Sequence, residues 1–310
     1  MQVHNKKIFS MLEFLGQFLH GKDKGLRLAL LAFFTKGHLL IEDLPGLGKT
    51  TLAIGLAKAL GLSFGRIQCT NDLLPTDVTG LSMYNKDDNK FEFQPGPVFN
   101  NIVLVDEVNR ATPKTQSALL EAMGEKQVTV EGHTYNLNRP FFVIATQNPV
   151  DQFGTFPLPE SQLDRFMMKI SLGYPGREAE RVILSGGSRR RELYDIDPFF
   201  SPEDIDKIQA EIEKDIKVAD SMIDYVLDIA DATRSSRFLR AGLSTRATLF
   251  MIRLGRANAY FQGRDYVIPE DVKELAPYII THRVLFSEAF QGENRDAYIK
   301  SLVEEVKTPA

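Results

Sequence analysis

The chain of 310 residues contains one cysteine, Cys69, so no internal disulfide can form and the fold does not depend on an oxidising compartment. It has no long hydrophobic run. The densest apolar stretch, residues 26–34, contains Arg27 and falls well short of the about 20 apolar residues that cross a membrane. It also lacks a strong excess of one charge, with 37 Lys+Arg against 41 Asp+Glu and a formal net charge of −4. That balance argues against whole-surface affinity for nucleic acid and leaves only a local basic groove open. No repeat or low-complexity linker interrupts the sequence. No His, Cys and carboxylate cluster has metal-ligand spacing, so any transition metal is expected to belong to a partner. Residues 1–7 are polar and lead into an amphipathic stretch rather than a signal-peptide core. A soluble, cytoplasmic protein is the expectation.

What remains is an ordinary globular composition, 43% hydrophobic and 25% charged, long enough for one large domain or two modest ones. Ile8, Met11, Leu12, Leu15, Phe18 and Leu19 recur at helical spacing, and a second helix is predicted over residues 22–35. Three short apolar runs follow at residues 38–41, 101–105 and 141–145. Continuous runs without alternation predict parallel strands buried on both faces. Each ends in polar residues, as expected where a site lies along the carboxyl edge of such a sheet. Beyond Tyr174-Pro175-Gly176 the pattern becomes helical. Helices are predicted from Ser201-Pro202, around Ile223 to Ala230, from Ser244, and from Pro269 through Val272, Leu275 and Ile279. The division expected is an α/β unit over residues 1–175 and a helical unit over 176–310.

Pro45-Gly46-Leu47-Gly48-Lys49-Thr50-Thr51 lies between a predicted strand and a predicted helix, the context of a phosphate-binding loop. Its glycines would let backbone N–H groups face phosphates at a helix N-terminus. Lys49 would reach the β- and γ-phosphates, and the Thr50 hydroxyl would bind Mg²⁺. Asp43 stands where the strict motif has its first glycine, and an incidental glycine-rich turn would read similarly. Asp106-Glu107 ends the second run: one carboxylate can hold Mg²⁺, and its neighbour can orient and deprotonate water. Paired acids also begin many solvated loops. Together, in this order, the two features point to an ATPase or GTPase. Asn148 ends the third run, where a neutral amide could hold the attacking water or γ-phosphate; Asn148-Pro149 is also good turn chemistry. Arg165 could stabilise charge on a transferring phosphoryl group, in trans, or simply pair with Asp164 or Glu160. Arg246 is a similar case. The run Arg189-Arg190-Arg191 reads as a solvated loop.

At this point the chain resembles the MoxR family of AAA+ ATPases, of the helix-2-insert clade, over nearly its whole length. The resemblance is carried by Glu42-Asp43-Leu44-Pro45-Gly46-Leu47-Gly48-Lys49-Thr50 and Asp72-Leu73-Leu74-Pro75-Thr76-Asp77-Val78-Thr79-Gly80. Gly96-Pro97-Val98-Phe99, Asp106-Glu107-Val108-Asn109-Arg110-Ala111 and Ala145-Thr146-Gln147-Asn148-Pro149 extend it. Leu158-Pro159-Glu160 through Phe166 and Gly263-Arg264-Asp265-Tyr266-Val267 complete it. The resemblance implies a P-loop core with a five-stranded parallel sheet, an all-α helical lid, ATP or ADP with Mg²⁺ between them, and a homo-oligomeric, hexameric ring. It matches Lys49 and Thr50 to Walker A, Asp106 and Glu107 to Walker B, and Asn148 to sensor 1. Arg165 matches the arginine finger and Arg246 sensor 2, although Thr245 stands where relatives often carry proline. Residues 71–96 look like the helix-2 insert, and residues 128–137 like a hairpin that faces a ring pore or only decorates a sheet edge. The implied function is a chaperone-like remodeller aiding assembly, maturation or cofactor insertion of protein complexes, with a von Willebrand factor A domain partner. Two alternatives stay open: a nucleic-acid-acting motor, disfavoured because the inserted hairpins carry few basic residues, and an ATP-binding module without turnover.

Overall fold

The computed structural model describes residues 2–150, 154–187, 189–292 and 294–309. Two helices open the chain, α1 (Gln2–Gly16) and α2 (Asp23–Phe34). Burial of Ile8, Met11 and Leu15 accounts for the spacing in the first, and Leu19, also buried, lies beyond its end. Strand β1 (Leu39–Glu42) then leads through the glycine-rich loop into α3 (Lys49–Ala59) and β2 (Phe64–Gln68). A short helix α4 (Pro75–Thr79) and an antiparallel hairpin, β3 (Gly80–Asn85) with β4 (Lys90–Pro95), occupy the segment read as an insert. Strand β5 (Ile102–Asp106), α5 (Pro113–Glu125), the hairpin β6 (Gln127–Val130) with β7 (His133–Asn136), and β8 (Phe142–Gln147) follow. A one-turn helix α6 (Glu160–Leu163) precedes β9 (Met168–Ile170).

Five of these strands form one parallel sheet in the order β2-β5-β8-β1-β9. Both of its faces are buried, which explains the unbroken apolar runs. Leu39, Ile41, Ile102, Leu104, Phe142 and Ile144 face the first two helices, α3 and the helical region beyond. Leu40, Val103, Val105, Val143 and Ala145 face the opposite layer, with Leu119, Leu120 and Met123 of α5 and Val128 and Val130 of the second hairpin. That second hairpin is therefore anchored to the core by one face of its first strand.

The remainder is α7 (Arg177–Gly186), α8 (Pro202–Lys214), α9 (Asp220–Ser235), β10 (Leu239–Ala241) and α10 (Thr245–Phe261). It ends with α11 (Pro269–Lys273), α12 (Ala276–Ile280), β11 (Leu285–Phe286) and α13 (Arg295–Glu305). Ser201 caps α8 by accepting from the Asp204 amide while Asp204 accepts from the Ser201 amide, and Ser244 caps α10. Two sequence expectations change here. The helix predicted from Pro269 through Ile279 is two helices, because Pro277 has no N–H to donate and its ring crowds the carbonyl of Lys273. The helical region also contains a small antiparallel pair, β10 with β11, too short to show as an apolar run. The buried side chains of this region, among them Ile205, Ile208, Met251 and Leu254, join the same core as one face of the sheet.

Candidate nucleotide site

The sheet's carboxyl edge sets the geometry of the site. At the end of β1 the chain turns through Gly46 (φ +85°) and Gly48 (φ +92°), the second of which is the N-cap of α3. Those left-handed conformations suit glycine, and a side chain on Gly48 would also crowd Leu19 at 3.3 Å. The first turn of α3 leaves its N–H groups without helical acceptors, so they and the positive end of the helix face outward as an anion cradle. Lys49 Nζ donates to the carbonyls of Asp43 (2.7 Å) and Leu44 (3.1 Å), which bends the side chain back over its own loop. Burial pulls the Lys49 ammonium below its ordinary pKa, opposed by Asp43, Asp106 and Glu107.

Asp43, the departure from the strict motif, has a structural task. Its buried carboxylate accepts from the Ser171 hydroxyl (2.8 Å) and from the amides of Leu172 and Gly173. A glycine there could not tie the start of the loop to the segment following β9.

Asp106 is buried at the end of β5, and Glu107 follows in the left-handed region (φ +56°), turning its carboxylate away from the strand direction. Thr146 on the neighbouring β8 joins the two acids. Its hydroxyl donates to Asp106 Oδ1 (3.3 Å) and accepts from the Glu107 amide (2.9 Å). The second Asp106 oxygen accepts from Arg66 Nε of β2 at 2.8 Å, and Arg66 Nη2 reaches Gln68 Oε1 at 3.1 Å. Glu107 pairs with Arg110 at 3.0 Å. Asn148, half-buried, accepts from the Val150 amide through Oδ1 at 3.2 Å.

These groups enclose a cavity of about 320 Å³. Pro45, Gly46, Gly48, Lys49, Thr50 and Thr51 line one side, and Asp106, Glu107 and Asn148 the other. Leu47 lines an adjoining cavity of about 280 Å³ that shares Gly46, Gly48 and Thr51 and extends to Phe18, Pro175 and Ile183. A phosphate chain fits the first cavity and a flat, largely apolar group the second. Arg66, Thr146 and Arg190 also line the first, and sequence reasoning singled out none of them for it. The arginine run is exposed, as expected, but only Arg189 lies in a loop: residues 190–195 form a 3₁₀ helix fixed by buried Leu193, which aims Arg190 at both cavities.

Arg165 and Arg246 lie elsewhere. Arg165 Nη1 donates to the Leu120 carbonyl at 3.3 Å, and Arg246 Nη1 meets Asp164 Oδ2 at 3.3 Å; neither lines the cavity. The Arg165–Asp164 pairing considered from sequence is not formed, because Asp164 is engaged by the helical region. Its partners are Ser244, Arg246 and the buried Arg283, whose Nε lies 3.0 Å from Oδ1.

The family model described as "ATPase family associated with various cellular activities (AAA)" matches residues 38–168, and the AAA lid domain model matches residues 231–302. An uncharacterized Bacillus subtilis protein, YeaC, is 45% identical over 300 residues, 96% of this chain and 93% of its own. The chaperone MoxR1 of Mycobacterium tuberculosis is 40% identical over 277 residues, 86% of this chain and 72% of its own. The crystal structure of a candidate ATPase from Cytophaga hutchinsonii superposes with a TM-score of 0.92 at 40% identity, covering 100% of this chain and 97% of that one. The five-stranded sheet, the lid match and identity along nearly the whole length agree: the chain belongs to the MoxR family of AAA+ ATPases.

Proposed function

We propose that the chain hydrolyses ATP with Mg²⁺ and serves as a chaperone-like remodeller of protein complexes, aiding assembly, maturation or cofactor insertion with a von Willebrand factor A domain partner. The observation that carries this reading is the convergence of Lys49, Thr50, Asp106, Glu107 and Asn148 on one cavity. The donor set fits a nucleoside triphosphate with a hard divalent cation: glycine-loop amides and Lys49 for phosphate oxygens, and the Thr50 hydroxyl and Asp106 carboxylate for the cation. The cation, when bound, supplies charge neutralisation on the phosphoryl group. Glu107 takes the proton of the attacking water, and Asn148 holds that water in place. Thr146 fixes the spacing of the two acids through its double hydrogen bond.

Arg165 and Arg246 complete a neighbour's site rather than their own, in a hexameric ring of identical chains. That neither lines the cavity of its own chain supports this assignment. A core over residues 1–175 and a lid over 176–310 would move against each other during turnover. A protein client fits the β3–β4 hairpin, which exposes Met83, Tyr84 and Phe91. Among the described residues no helix is long and apolar enough to cross a membrane, in keeping with a cytoplasmic role.

The test is Mg²⁺-dependent ATP hydrolysis per chain as protein concentration rises, with Arg165→Ala and Glu107→Gln alongside. The rate per chain should climb with concentration and fall about 10³-fold in Arg165→Ala. Glu107→Gln should bind ATP yet lose at least about 10²-fold in turnover. Mixing the two variants should restore activity, because an intact Glu107 can then meet an intact Arg165 across an interface. A flat rate insensitive to Arg165 would remove the shared site.

A further inference from the structure

Arg66, like Gln68 and Arg190, lines the cavity without a part in the hydrolysis scheme, and of the three it is the one that touches a carboxylate of that scheme. It projects from β2, an edge strand of the sheet, and the parallel register pairs Gln68 with Asp106, so Arg66 and the acid share one end of adjacent strands. Its Nε lies 2.8 Å from Asp106 Oδ2, while Thr146 holds Oδ1. Both oxygens of the carboxylate assigned to the cation are therefore engaged. The two partners differ in exposure. Asp106 and Thr146 are buried, whereas the Arg66 side chain is 47% exposed. A half-exposed guanidinium leaves a carboxylate at little cost, and its planar fork suits phosphate oxygens as well as carboxylate.

We infer that Arg66 stands in for the divalent cation at Asp106 when the site is empty, so that the two compete for this carboxylate. The inference rests on the nucleotide site proposed above. Without metal, the guanidinium at Asp106 neutralises that carboxylate in a cavity that also holds Lys49, so a phosphate chain is not repelled there. Removing Arg66 then has two effects of the same sense. Metal-free nucleotide loses a cation, and metal-bound nucleotide meets an Asp106 without a competitor.

The experiment measures equilibrium affinity for a fluorescent ADP analogue in excess Mg²⁺ and in EDTA, for the full chain and for Arg66→Ala, Arg66→Lys, Asp106→Asn, the Arg66→Ala/Asp106→Asn double variant and Lys49→Ala. The solution equilibrium between Mg²⁺ and the nucleotide is common to all, so differences between variants report the protein. The quantity read is the ratio of the dissociation constant in EDTA to that in Mg²⁺. Arg66→Ala should raise this ratio by about tenfold, the scale of a charge-assisted hydrogen bond. Arg66→Lys, which keeps the charge, should stay within about threefold of the parent. In the Asp106→Asn background the Arg66→Ala effect should shrink to under about twofold, since no carboxylate remains to be covered. An unchanged or lowered ratio in Arg66→Ala overturns the inference. So does a rise of equal size in the Asp106→Asn background, which would make Arg66 a general attractor of phosphate. Failure of the parent to bind nucleotide in either condition, or binding by Lys49→Ala as tight as the parent's, overturns the site reading itself.

Discussion

Two of the molecule's arginine–aspartate pairs are built to different ends. Arg66 with Asp106 spans two strands at the cavity, and Arg283 with Asp164 joins the lid to the segment that carries Arg165. The nitrogen–oxygen distances are close, 2.8 and 3.0 Å. The surroundings differ. The Arg283 side chain is 2% exposed and also donates to the carbonyls of Phe166, Met167 and Ile279, so every direction it offers is taken by protein. Burial pulls its pKa down to about 10, with Asp164 opposing, and it remains charged at neutral pH. Arg66 is half in solvent, with one carboxylate and one amide oxygen as partners. A buried guanidinium with a full set of acceptors is a joint; a half-exposed one is a contact that a competing ligand can replace.

The sharpest way to break this comparison is to remove the acid from each pair and follow folding in denaturant. Asp164→Ala strands a buried cation, and the expected loss is about 3 kcal/mol or more. It also frees Arg246 and uncaps the contact from Ser244, so the lid should loosen before the sheet unfolds. Asp106→Asn leaves Arg66 free to turn to water, and the expected loss is at most about 1 kcal/mol. Equal losses at the two positions would mean that burial does not separate the pairs.

Next in size is an effect of acid. His38, fully buried at the start of β1, accepts from the Val143 amide through Nδ1 (3.0 Å), while Nε2 meets the Met123 carbonyl at 3.2 Å. Burial holds its pKa down at about 4, and His282 beneath the lid joint is held down in the same way. A histidine with a depressed folded pKa is neutral in the native chain and takes a proton on unfolding. Its contribution is therefore complete above about pH 6.5 and is lost as pH falls toward 4, by roughly 3 kcal/mol for His38. Denaturation between pH 7 and 4.5 should show this loss, with a shallower slope in His38→Gln. An identical slope would assign the acid sensitivity to other groups.

How much of this was legible in the sequence follows from where each feature stores its information. β1, β5 and β8 lie in the sheet interior with both faces covered, so each declares itself as an apolar run. β2 does not, because Gly65 and Ile67 are buried while Arg66 and Gln68 face the cavity, and β9 is only three residues long. Those two strands came from the family resemblance rather than from residue pattern. Lys49, Thr50, Asp106, Glu107 and Asn148 were visible because loop and strand ends are local features. The Arg66–Asp106 pair was not, since 40 residues separate its partners and only the register of β2 on β5 joins them. Asp43 showed in the sequence only as a departure from the strict motif for the same reason: its acceptor role is completed by residues 171–173.

The smallest effect expected reads both pairs through a thiol that belongs to neither. Cys69 follows β2, its amide donating to the Asp106 carbonyl at 2.9 Å, and its buried thiol is pushed up to about 12 by burial and by the nearby Asp106 and Glu107. The thiolate is the reactive form, so an aromatic disulfide reagent at pH 8 should leave the native chain unmodified and titrate one thiol in denaturant. Any slow reaction in native buffer then measures opening of the layer behind the cavity. Arg66→Ala should leave that rate within about twofold of the parent, because a half-exposed contact adds little to the local free energy. Asp164→Ala should raise it only if the lid joint and the sheet edge open as one unit. A rise in Arg66→Ala as large as in Asp164→Ala would show that the cavity pair, too, holds the structure closed, and the distinction between a joint and a replaceable contact would fail.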